Sequence, residues 1–101
     1  MSYWARYFYL DLYNIYMDDV TLKVVGYVIS STYRVKVVKS LSKGDMIPTQ
    51  IANDSGIRTN HISKVLAELK TKGVVECTNE DQKKNRNYHL TKLGIEISKK
   101  L

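Results

Sequence analysis

With 101 residues the chain is long enough for one domain with a modest core, and a hydrophobic content of 44% argues for a folded chain despite a net charge of +6. Its single cysteine, Cys77, excludes an internal disulfide and fits a reducing compartment. No apolar run reaches the roughly 18 residues of a spanning helix, and the N-terminus lacks the segments of a signal peptide, so a cytoplasmic protein with no membrane partner is expected.

The charge is spread unevenly. Residues 1–25 carry two basic and three acidic side chains, whereas residues 26–101 carry 14 basic against 7 acidic, a net of +7. That balance in a small domain points to an anionic partner, of which nucleic acid is the commonest. A surface made basic only for solubility has the same composition.

Residues 1–16, MSYWARYFYLDLYNIY, hold seven of the ten aromatic residues. No clean period emerges, because Tyr7-Phe8-Tyr9-Leu10 is apolar on every side of a helix or a strand. A helix buried against a partner subunit, a helix packed on its own domain and an extension all fit. The first is the expectation, since aromatic rings dominate interfaces. Met17-Asp18-Asp19 is a plausible start for a compact domain.

From Val20 to Ile29 an apolar segment with Thr21 as cap predicts a short helix, although its β-branched residues leave a strand open. Ser30 or Ser31 then caps a helix over Thr32 to Leu41, with Arg34, Val37, Val38 and Leu41 on one side and Gly44 as the terminating glycine. Met46-Ile47 is long enough only for a bridge or edge strand. Pro48 starts the next helix, which ends at Asp54 or Ser55 with Gly56-Ile57 as the turn.

Thr59 is expected to cap a helix running to Lys72, with Lys70 and Lys72 favouring its C-terminal dipole and Gly73 ending it. Ile62, Val65, Leu66 and Leu69 form its apolar stripe. Its opposite face carries Asn60, Lys64, Ala67 and Thr71, flanked by His61 and Ser63. A short, polar, cationic face suits a helix that enters a DNA major groove, though a solvated surface helix shares the pattern. Strands over Val74 to Thr78 and Asn87 to Leu90 flank a polar loop with Lys83, Lys84 and Arg86, and Tyr88 and Leu90 alternate toward the helices. Thr91 caps a last helix through Lys100, with Leu93, Ile97 and Leu101 in line and Ile95 off it.

The order of IPTQIANDSGIRTNHISKVLAELKTKGVVE, the loop DQKKNR and the closing NYHLTKLG resembles MarR-type winged-helix regulators and their small archaeal-type relatives, over roughly residues 20–98. That resemblance implies a mainly α fold with a small β-ribbon, a winged helix-turn-helix domain over residues 20–101 behind an aromatic extension, 1–19. It implies a recognition helix from Thr59 whose Thr59, Asn60, His61, Ser63 and Lys64 meet base edges, with Arg58 beside them. Asn60 suits a bidentate adenine contact. Thr49 and Gln50 would touch the DNA backbone, and Lys83, Lys84, Asn85 and Arg86 of the wing would track phosphates or the minor groove. Asp81 matches the family's wing, but Lys83 and Lys84 stand where arginine is usual, and lysine lacks the planar fork.

The expected function is a sequence-specific transcriptional regulator on double-stranded DNA. A homodimer is expected because one helix reads few bases. A winged helix for protein contact and a non-specific chromatin-type binder are the alternatives. Cys77 and His89 are near each other on the ribbon in this reading, but two ligands fall short of a zinc site, so no metal or cofactor is expected. No catalytic constellation is visible around Glu68, Glu76 or Glu80.

Overall fold

The computed structural model of the chain describes residues 19–101. The expectations for residues 1–16, and for the extension 1–19 up to Asp19, lie outside the described residues. Among the described residues the order is α1 (Asp19–Ile29), α2 (Thr32–Leu41), α3 (Pro48–Ser55), α4 (Thr59–Thr71), β1 (Val75–Cys77), β2 (Tyr88–Leu90) and α5 (Lys92–Lys100). None of these helices is long and apolar enough to cross a membrane.

The β-branched segment at the start is a helix. Thr21, Val24, Val25 and Val28 recur at i, i+3, i+4 and i+7 on its inner side, and Val28 is fully buried. Burial of Val28, with Thr21, Val24 and Val25 half-buried beside it, outweighs the modest propensity cost of valine. Thr21 does not cap it, because the helix begins two residues earlier at Asp19. Ser31 does cap α2, its side chain accepting the Arg34 N–H. At the other end Ser42, not Gly44, is the C-cap: its N–H donates to Val38 O at 2.9 Å and its hydroxyl to Lys39 O at 2.6 Å. A serine that satisfies an orphan carbonyl in ordinary helical geometry removes the need for a glycine there.

Val37, Val38 and Leu41 of α2, Ile51 of α3, and Ile62, Val65, Leu66 and Leu69 of α4 form one buried cluster with Val74, Val75, Leu90 and Ile97. The turn between α3 and α4 needs Gly56, which sits in the left-handed region at φ 76° and donates to Ala52 O at 2.9 Å. The amides of Gly73 and Val74 then close α4 by donating to Lys70 O and Leu69 O.

β1 and β2 pair antiparallel, Val75 with Leu90, Glu76 with His89 and Cys77 with Tyr88. Each is shorter than its sequence suggests: Val74 N–H is committed to the end of α4, and Asn87 N–H to Asn79 Oδ1. Met46 adds a single bridge to Tyr88. Successive strand residues face opposite sides, so Cys77 shares a face with Tyr88 while His89 lies on the other with Glu76. The expected closeness of Cys77 and His89 is therefore wrong: Cys77 Sγ instead meets Asn79 Oδ1, and His89 Nε2 lies 3.2 Å from Glu76 Oε2. Thr91 joins ribbon to helix. Its hydroxyl accepts Gly94 N–H at 3.1 Å and donates to Gly73 O.

Candidate nucleic-acid interface

Burial of Ile57, only 4% exposed, together with Ile62 fixes where α4 begins. Arg58 is extended and its carbonyl accepts the first helical bonds, from His61 N at 3.0 Å and Ile62 N at 3.2 Å. The N-cap is thus Arg58 rather than Thr59, and no side chain caps the helix. Thr59 is its first residue and exposed, as are Arg58, Asn60, His61, Ser63, Lys64 and Ala67. The opposite side of α4 is its buried stripe, so the exposed face is free to meet a ligand.

The wing is held by side chains rather than by a long ladder. Asn79 Oδ1 accepts Asn87 N–H at 2.7 Å, and Asn79 Nδ2 donates to Asn85 O at 3.2 Å. Asn85 adopts φ 56°, a conformation that asparagine tolerates better than most residues. It therefore shapes the tip, whatever else it touches. Arg86 Nε donates to Gln82 O at 2.7 Å, which folds its guanidinium back along the loop. Lys64, Lys83 and Lys84 are exposed, and no carboxylate among the described residues pairs with them.

These two units face each other across a cleft of about 400 Å³, where Ser63, Ala67 and Lys70 of α4 meet Lys83, Asn85 and Arg86. Ser63 is thus brought to the wing, whereas His61 is not in this cleft. The His61 ring instead rests beside Tyr33 of α2, with centroids 5.5 Å apart. Thr49 and Gln50 are exposed at the start of α3, but Gln50 Oε1 accepts Ile47 N–H at 2.9 Å. Its carbonyl end is occupied by the helix start, leaving only its amide N–H groups for a ligand.

Sequence reasoning missed two features. Lys70, read only as a dipole partner, lines the cleft and pairs with Glu80 at the base of the wing. That pairing holds the Glu80 carboxyl below its ordinary range and raises the Lys70 ammonium. Arg34 is the other. Its guanidinium leaves the α2 surface to pair with Glu68 on α4, a contact spanning 34 residues that no local period signals.

A hydrogen bond from Arg34 likewise holds the Glu68 carboxyl below the usual carboxylate range, and one from Lys43 does so for Asp54. A depressed folded pKa gives stability that is present above the unfolded value and lost as pH falls through the folded one. Thermal midpoints are therefore expected to hold down to about pH 5 and then fall as pH drops below about 4. Glu68→Gln should flatten that acid limb more than Asp54→Asn or Glu80→Gln, since the latter pairs are more exposed and screened. Equal acid limbs in all three variants would contradict this ranking.

No protein-family model and no curated protein sequence matches the chain. Solved structures do. The transcriptional repressor BigR from Xylella fastidiosa aligns with a TM-score of 0.66 and 21% identity, covering 88% of each chain. The reduced form of MarR from E. coli gives 0.63 and 22% over 90% of this chain and 68% of its own. The homodimeric winged helix-turn-helix DNA-binding domain of Mb0332 from Mycobacterium bovis, a possible ArsR-family regulator, gives 0.61 and 22% over 78% of this chain and 69% of its own. Lactococcus lactis ZitR, a further match, is spanned over only 49% of its length. At these identities the likeness is one of fold. Together with the element order and the two-stranded ribbon, it makes the described residues a winged helix-turn-helix domain.

Proposed function

We propose that this protein is a sequence-specific, double-stranded-DNA-binding transcriptional regulator that acts as a homodimer in the cytoplasm, akin to the MarR and ArsR regulators. The observation that carries the reading is the cleft that Ser63, Ala67 and Lys70 of α4 share with Lys83, Asn85 and Arg86 of the wing, on the exposed side of α4. α4 is then the recognition helix in the major groove, and Lys83, Lys84 and Arg86 lie along the phosphates. Solved relatives named as transcriptional regulators, one of them a homodimeric DNA-binding domain, support the same reading. The aromatic segment of residues 1–16, with the closing segment from Leu93 to Leu101, supplies the dimer contact in this proposal.

Selection of bound sequences from random duplex DNA, followed by titration across salt, tests it. A regulator enriches a two-fold-symmetric site and binds it more weakly as salt rises. A protein-contact module binds no DNA at low salt, and a packaging protein binds without enrichment. Asn60→Ala is expected to cost roughly 1–3 kcal/mol at one base position per half-site, leaving the other positions unchanged. An unaltered selected sequence would remove Asn60 from the reading set.

A further inference from the structure

Glu68 is the only acidic residue on α4. It lies one turn beyond Lys64, where a negative charge works against an anionic ligand. Its carboxylate does not point into solvent as a free charge. It accepts hydrogen bonds from Arg34 Nη2 and from Tyr27 OH at 3.3 Å, and its side chain is 26% exposed. Arg34 is fixed from several directions at once. Nη1 donates to Tyr27 O at 3.0 Å and Ser30 Oγ at 3.1 Å, and the guanidinium carbon lies 3.8 Å from the Tyr27 ring centroid. Lys72, just past the end of α4, sits 5.0 Å from the same ring. One planar group thus locks together α1, the turn after it, α2 and α4.

A largely desolvated ion pair is a weak source of net stability, because taking both charges out of water offsets most of their attraction. Arg34 Nε is even buried without a partner among the described residues, which adds a cost. What such an arrangement supplies is direction, since a fork bound by a carboxylate, a carbonyl, a hydroxyl and a ring has one orientation. Asn60 lies eight residues from Glu68, about 12 Å along the helix. A tilt of about 5° pivoting at Glu68 moves Asn60 by about 1 Å, enough to spoil a bidentate base contact.

We infer that Arg34 and Glu68 are positioning residues for sequence reading: their contact sets the tilt of α4 against α1 and α2, and with it the discrimination between DNA sequences. This rests on the DNA-binding reading above. It makes a prediction opposite in sign to simple electrostatics. Glu68→Gln removes a negative charge beside Lys64, so charge alone predicts tighter binding to every sequence.

The test measures affinity of the full chain for its selected site and for random duplex, in Glu68→Gln and in Arg34→Lys, which keeps the charge but loses the fork. Both variants are expected to lower the specific-to-random ratio by about ten-fold, the size of one degraded base contact, with the salt slope unchanged. Partial unfolding lowers binding to both DNAs equally and leaves the ratio alone, so the ratio separates positioning from stability. A ratio unchanged in both variants, or affinity rising equally for both DNAs, overturns the inference. Absence of sequence preference in the unaltered protein overturns the regulator reading and this inference with it, whereas a clear preference there with an unchanged ratio in both variants overturns this inference alone.

Discussion

Alanine at Lys83, Lys84 and Arg86 together is expected to weaken duplex DNA binding by about 10²–10³-fold at 0.1 M salt. The size follows from counterion release. Each phosphate contact contributes about 0.9 to the slope of log affinity against log salt, so three lost contacts remove nearly 3 from the slope. The wing makes the contacts separable from the fold. All three side chains are exposed, and the Asn79 bonds to Asn85 and Asn87 that hold the loop stay intact, the exposed Arg86 Nε bond to Gln82 O being the one lost. Stability should therefore change little. Among single variants Arg86→Ala should cost less than Lys83→Ala or Lys84→Ala, because its Nε already donates to Gln82 O. Affinity should fall for selected and random DNA alike, since backbone contacts carry no sequence information. A triple variant with an unchanged salt slope would remove the wing from the interface.

The parts of this fold that were legible are those that local chemistry decides. The stripe Ile62, Val65, Leu66 and Leu69 is buried as its spacing predicts, and Ser31 and Thr91 cap helices through bonds to residues three positions on. The exposure of Thr59, Asn60, His61, Ser63 and Lys64 was legible for the same reason, because the face opposite a buried stripe must be exposed. What failed to show depends on distant partners. Thr59 looks like a better cap than Arg58, but burial of Ile57 moves the helix start back by one residue. Gln50 reads as a free polar group until its carbonyl is seen on Ile47 N–H. The separation of Cys77 from His89 follows from a pairing register that residue order alone does not set. The Arg34–Glu68 contact is the extreme case, since Arg34 reads only as a stem along the apolar side of α2 and nothing local ties it to Glu68, 34 residues away.

Gly94→Ala is expected to destabilise the protein by about 2–4 kcal/mol and to lower its thermal midpoint on the order of 10–20 °C. Helix propensity predicts the reverse, because alanine is favoured over glycine inside a helix by about 1 kcal/mol. Sterics win here. A Cβ at Gly94 would stand 2.2 Å from Val74 O and within 3.1–3.2 Å of two Leu90 side-chain atoms. Neither neighbour can move cheaply. Val74 O accepts Thr91 N–H at 3.0 Å, and Leu90 is buried in the core opposite Val75. Relief requires α5 to lift from the β1–β2 ribbon, which also loosens the Thr91 cap on Gly94 N–H. Gly26→Ala is the matched control, since nothing among the described residues lies within 4 Å of a Cβ there on α1. That substitution should stabilise by roughly 0.5–1 kcal/mol through propensity and reduced unfolded-state freedom. Urea unfolding of the two variants checks both signs. An equally stable Gly94→Ala protein would mean that the ribbon is not clamped to α5 as closely as the geometry requires. The position of the wing over α4 would then need another anchor than this junction.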